Sequence, residues 1–258
     1  MPGHDSWFTF ILPNYEELLA RFREAMGLSA IGKSPVELQY VIGFIFVSLL
    51  ILLLALIAKK QMATKDDGLI PDPKFSARTF FESMIEGALS TMETVMDRKA
   101  AIYFLPLIGT SMFVIFFSNF IGLVPGFLPP TSNLSTTLAM ALVIFFSTHI
   151  FGVKEHGFIG YFAHWAGPIR VWYALPLMVL MFCIEVVSHI ARPASLSVRL
   201  MGNMFADHAV VAVFVGLIPL LVPVPIMLLG TVVCIVQTAV FCILSTVYIG
   251  MAVAHEEH

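Results

Sequence analysis

The chain has 258 residues, of which 59% are hydrophobic and 12% charged, with a formal net charge of −3. Mean hydropathy is +0.91. This composition excludes a soluble globular domain and describes an all-α, polytopic membrane protein. There is no basic tract, so nucleic acid is excluded as a partner.

Residues 1–37 are mixed polar and are expected to form an external N-terminal segment. Asn14 and Glu17 have capping-box spacing and Gly27 suits a helix stop, which predicts a short helix over 14–26. No basic n-region with a short apolar run precedes it, so Met1 is expected in the mature chain. Residues 38–258 read as one integral membrane domain. Its first span, 38–58, is uninterrupted and matches the roughly 20 residues needed to cross a bilayer. Lys59, Lys60, Lys65, Lys74, Arg78, Arg98 and Lys99 separate it from a second span at about 100–124. The positive-inside rule puts that connection in the cytoplasm and the N-terminus outside.

Within the connection, residues 76–97 alternate with helical spacing. Phe80, Phe81, Met84, Ile85, Ala88, Leu89, Met92, Val95 and Met96 form one face, and Arg78, Glu82, Glu86, Glu93 and Asp97 the other. With Ser76 as N-cap, this is an amphipathic helix on the cytoplasmic membrane surface or under a partner subunit. A turn at 125–133 without Lys or Arg is external, and the third span, 134–153, returns to Lys154 and Arg170 inside. Two long segments follow at about 172–215 and 219–254, joined by a turn with Pro219, Pro223 and Pro225. Both exceed a perpendicular crossing and are expected to be tilted or kinked. The C-terminus is then cytoplasmic.

The fourth span carries a polar stripe. With Arg199 at zero on a 100° wheel, Asn203, Ser195, Arg192, Ser188 and Glu185 all lie within about 40°. Asp207 stands at roughly 80°, and His208 on the opposite side. From Glu185 to Asp207 the helix rises about 33 Å, close to the hydrocarbon thickness of about 30 Å. Pro193 frees the carbonyl of His189 and bends the helix. Small hydroxyls such as Ser188 and Ser195 most often serve helix packing. Arg199 is different: guanidinium keeps its proton, and burying it in lipid costs about 2.5–3.5 kcal/mol on insertion scales. It can hold an anion or block a cation, whereas Glu185, Asp207 and His208 can titrate. A fixed cation thus separates a titratable group on the cytoplasmic side from two on the external side. On the last span Gln237, Gly230 and Tyr248 align within about 20°, with Phe241 near 40°. Gln237 suits hydrogen bonding between helices, and Gly230 and Gly202 suit close packing.

Cys183, Cys234 and Cys242 all fall in apolar segments, with no disulfide or CxxC pattern, and no HExxH occurs. No metal and no cofactor is expected. A secondary transporter would also bury charge, but no inverted repeat is visible. A haem carrier would draw on His149, His164, His189 or His208, and no two of these are expected at matched depth on facing helices. For His149 and His164 an interface or packing role is expected.

The stretch Ser195-Leu-Ser-Val-Arg199-Leu-Met-Gly202-Asn203-Met-Phe-Ala resembles the family of subunit a of F-type ATP synthases. Ser118-Asn119-Phe-Ile-Gly122-Leu-Val-Pro125-Gly126, Pro130-Thr131-Ser-Asn133 and Gln237 to Ile249 support it, so the likeness covers nearly all the chain beyond the first thirty-odd residues. The resemblance implies a non-catalytic stator subunit of a bacterial inner membrane. It implies a c-subunit ring whose carboxylate faces Arg199, and b-type peripheral stalk subunits beside the surface helix. Asn203, Asp207, His208 and Gln237 would line the external half-channel. Glu185, Ser188, Arg192 and Ser195 would line the cytoplasmic one. Gly230 stands where some relatives carry histidine, and Asp207 is expected to fill that space as the external relay. His208 can act only if a third helix lines the path. The coupling ion is set mainly on the rotor chain.

Overall fold

A computed structural model describes residues 36–63, 76–124, 126–158, 160–161, 175–217 and 223–253, together with Glu17, Ala20 and Arg21. These three are helical, with Arg21 donating to Glu17 at 2.8 Å. The rest of the short helix expected at 14–26 lies outside the described residues, as do Lys65, Lys74, His164, Arg170, Pro219 and the last five residues.

The described chain is all-helical, with α1 (Val36–Ala63), α2 (Ala77–Glu93), α3 (Arg98–Ile121), α4 (Leu134–His156), α5 (Leu175–Leu217) and α6 (Pro223–Val253). Five of these are long and apolar enough to span a membrane, and α2 is the shorter amphipathic one. The last two are long, as expected, with α5 running to 43 residues. Pro223 and Pro225 belong to the first turn of α6 and not to the preceding turn. There a missing N–H leaves no helix bond unmade.

Local chemistry sets the other ends. The Asp97 carboxylate accepts from the Lys99 N–H at 3.3 Å and starts α3. Because Asp97 serves α3, α2 stops at Glu93 and does not run on to residue 97. Ser76 stands at the N-cap of α2, but its hydroxyl makes no capping bond. Asn133 accepts from the Ser135 N–H at 2.9 Å and starts α4.

Two apolar clusters hold the bundle. One joins α1, α2, α3 and α6 through Ala58, Phe81, Met92, Phe104, Ile108, Phe113 and Ile249. The other joins α3, α4, α5 and α6 through Ile115, Ile144, Leu196, Leu200 and Phe241. α3 and α6 therefore sit centrally, while α5 lies at the edge. Of the most apolar window of α5 only 6% is buried, against 44% for α3. The apolar side of α2 packs on α1 and α3. Arg78 belongs to that buried side and not to the polar face: it is 3% exposed, and its Nε donates to Glu82 at 2.6 Å. A buried guanidinium needs such a partner.

Candidate functional site

α5 and α6 run antiparallel and touch along their length. The Asn203 amide donates to Gln237 Oε1 at 2.6 Å. The Arg192 guanidinium lies over the Tyr248 ring, 5.4 Å from its centre. At the other end, a Cβ added to Gly230 would stand 3.9 Å from Asp207 Oδ2 and 2.8 Å from a methyl of Leu123. As the number falls from 207 through 203 to 192 on α5, it rises from 230 through 237 to 248 on α6. The aligned face of the last helix thus meets the polar stripe residue by residue.

Arg199 lies on the outer side of this seam. It is exposed, between buried Leu196 and Leu200 and beside exposed Ser195 and Val198. Among the described residues it has no ion pair and no hydrogen bond. Glu185, the nearest carboxylate toward the N-terminal end of the helix, lies about 21 Å along the axis. Gly202 is on the same outer side. A Cβ there would meet nothing within 4 Å among the described residues. The reason is its place on the wheel, about 60° from Arg199 and away from the buried side.

The stripe has two different ends. Toward residue 185, Glu185 Oε1 lies 3.7 Å from Arg192 and 3.3 Å from His189 Nδ1, and Ser188 is half-buried beside them. Arg192 is therefore held by Glu185 and Tyr248. His189 also faces His149 of α4, with ring centres 5.1 Å apart, and Tyr161 Oη lies 3.0 Å from His149 Nδ1. This corrects the expectation that no two histidines meet at matched depth. Each was visible in the sequence as a histidine in an apolar helix; their meeting depends on the register of α4 against α5, which no periodicity carries.

Toward residue 207, Asp207 turns to α6 while His208 turns to α3. A Cβ added to Gly122 would stand 3.0 Å from His208 Nε2. A third helix does lie against His208. Next to it, the Thr131 hydroxyl donates to Asn119 Oδ1 at 2.6 Å. Asp207 Oδ2, Gln237 Nε2, Asn119 Nδ2 and Ser118 Oγ are buried without a protein partner. Ser118 and Asn119 stood in the supporting motif, but their shared burial with this end of the stripe was not foreseen. Among the described residues no group of three or more His, Cys, Asp or Glu has metal-site geometry.

Fold and seam together define a multi-pass helical membrane protein that presents a fixed cation on the outer side of an antiparallel helix pair. Residues 41–250 match the family model described as ATP synthase A chain. The chain is 42% identical over 262 residues to an ATP synthase subunit a of Sorangium cellulosum, covering 100% of both chains. It is 44% identical to one of Geobacter sulfurreducens, over 77% of this chain and 80% of that one. A third, from Campylobacter curvus, is 39% identical over 85% of this chain and 92% of its own. The chain belongs to the ATP synthase subunit a family.

Proposed function

We propose that the chain is the proton-conducting stator subunit of a rotary ATP synthase, non-catalytic by itself, with two offset half-paths that meet at Arg199. The observation that carries this reading is the exposure of Arg199 on the outer side of α5 without any hydrogen bond or ion pair among the described residues. A permanent charge in an apolar setting calls for an anion, and the outward exposure of Arg199 suits an anion brought by another subunit. A carboxylate on a c-subunit ring supplies it. The outward Gly202 leaves room for such a helix to approach, and the exposed apolar face around Val187, Ile190 and Val198 suits an apolar partner.

Protons enter from the external side by way of Asp207, Asn203 and Gln237 and reach the rotor carboxylate. They leave on the cytoplasmic side near Glu185, with Ser188, Arg192 and Ser195 along that half. Arg199 favours the ionised carboxylate and blocks direct leak. Each charge crossing the membrane supplies about 2.3 kcal/mol per 100 mV. The buried unpartnered atoms Asp207 Oδ2, Gln237 Nε2, Asn119 Nδ2 and Ser118 Oγ support a hydrated external half, since buried polar groups without protein partners are usually met by water. Asp207 Oδ2 borders the Cβ position at Gly230 at 3.9 Å, next to a Leu123 methyl that stands nearer at 2.8 Å, which sets Asp207 beside that position. His208, against α3, is the second titratable group of this half. The N-terminus lies outside and the C-terminus in the cytoplasm of a bacterial inner membrane, and α2 lies beside the peripheral stalk.

Cysteine cross-linking tests the arrangement. Cysteines placed at Ser195 and Gly202 are expected to form disulfides with a cysteine beside the rotor carboxylate. Cysteines at buried Leu200 are expected to form none. Equal cross-linking from both sides of α5 would overturn the reading.

A further inference from the structure

The cytoplasmic half holds a pair of imidazoles that the half-path as described leaves unused. His189 is buried at 7% exposure, and its Nδ1 lies 2.9 Å from the Glu185 backbone oxygen and 3.3 Å from Glu185 Oε1. A carbonyl oxygen only accepts, so Nδ1 carries the ring proton and Nε2 of the neutral ring is an acceptor. His149 stands beside it, with Tyr161 Oη on its Nδ1. Both rings line a small, partly open cleft shared with Thr148, Arg192, Pro193 and Tyr248. Along α5, His189 lies between Arg199 and Glu185, at the depth a departing proton must cross. The titratable and charged groups facing the pair are Tyr161 from the segment after α4, Glu185 and Arg192 from α5, and Tyr248 from α6.

We propose that His149 and His189 form a two-imidazole proton carrier that delivers protons from the Arg199 level to Glu185; this rests on the stator reading above. A proton released by the rotor carboxylate reaches Nε2 of His189, either directly or by way of His149, which takes up one proton and passes one on. The Nδ1 proton of His189 then passes to the Glu185 carboxylate, which releases it to the cytoplasm. His189 is left neutral with its proton on Nε2, and water in the cleft, taking that proton and returning one to Nδ1, restores the starting tautomer. Mutual repulsion between the rings, and of both by Arg192, keeps the pair to one extra proton at a time. Tyr161 and the Glu185 carbonyl fix the orientation of the two rings.

The test uses membranes with the whole complex, stripped of the catalytic head, in which proton flux follows an imposed potassium diffusion potential. Flux is normalised to the amount of subunit in the membrane. His189→Asn keeps a hydrogen-bonding group but cannot carry a proton, and its flux is expected to fall about fivefold; that is below the 10²–10⁴ of a lone acid–base group because His149 remains. His149→Asn with His189→Asn is expected to fall about a hundredfold. His189→Asp, which can carry a proton, is expected to keep more than about half the flux and to shift its pH profile. Wild-type flux in the double variant, or equal loss in the Asn and Asp variants, overturns the carrier. If those variants behave as expected of inert residues while Arg199→Ala, assayed in the intact complex, abolishes coupled ATP synthesis, only the carrier fails. If Arg199→Ala leaves coupling intact, the stator reading itself fails.

Discussion

The bond between Asn203 and Gln237 joins the two seam helices one turn from Arg199, and its removal has a calculable consequence. At 2.6 Å, with Gln237 only 3% exposed, it is a short, largely desolvated amide pair. A typical net hydrogen bond contributes about 0.5–1.5 kcal/mol, and leaving one buried partner unmet costs about 1–3 kcal/mol. Gln237→Leu strands the Asn203 amide, but Asn203 is half-buried and can turn to water, which puts the loss near the lower bound. Asn203→Leu strands Gln237 Oε1 in the buried face, beside an Nε2 already without a protein partner, and is expected to cost more. Interhelical hydrogen bonds in membranes average a coupling of about 0.6 kcal/mol and reach about 1.7 kcal/mol. A double-mutant cycle on ATP-driven proton pumping, read in membrane vesicles at matched subunit content, should therefore show the double variant faster than the product of the singles by about three- to eighteenfold. Additivity within about 0.3 kcal/mol would refute the idea that the two amides act as one unit.

Other expectations concern the ends of the stripe and the helix caps. Asp207→Asn should lower proton transport by roughly tenfold, about 1.4 kcal/mol of barrier, and more than His208→Ala does; full activity of both variants in a vesicle quenching assay would contradict the assignment. Gly152→Ala places a Cβ 2.5 Å from the Tyr161 ring, so the ring must leave its seat by His149. Such overpacking costs typically about 1–3 kcal/mol and should lower the thermal stability of the purified complex, with Tyr161→Ala in the same chain relieving it. Asn133→Ala should cost about 1 kcal/mol as a lost N-cap, and Asp97→Ala less because its capping distance is 3.3 Å against 2.9 Å; equal melting temperatures would refute that order.

Much of this molecule is legible in its sequence because lipid imposes strict rules on helices. Apolar length gives the spans, and the 3.6-residue period puts Glu185, Arg192, Arg199 and Asn203 on one side of α5. The wheel also aligns Gly230, Gln237 and Tyr248, which is why the α5–α6 seam could be anticipated from each helix separately. Periodicity carries no register between helices distant in sequence. It therefore missed the meeting of His149, His189 and Tyr161, and the contact of His208 with Gly122. It also put Arg78 on the polar face, where α2 turns it inward.

Arg199→Ala, assayed for coupled ATP synthesis in energised membranes with the complex fully assembled, tests the central role of the fixed cation most directly. Synthesis is expected to be abolished, with passive proton leak retained or increased. ATP made at the normal yield by that variant would contradict the role of Arg199 outright.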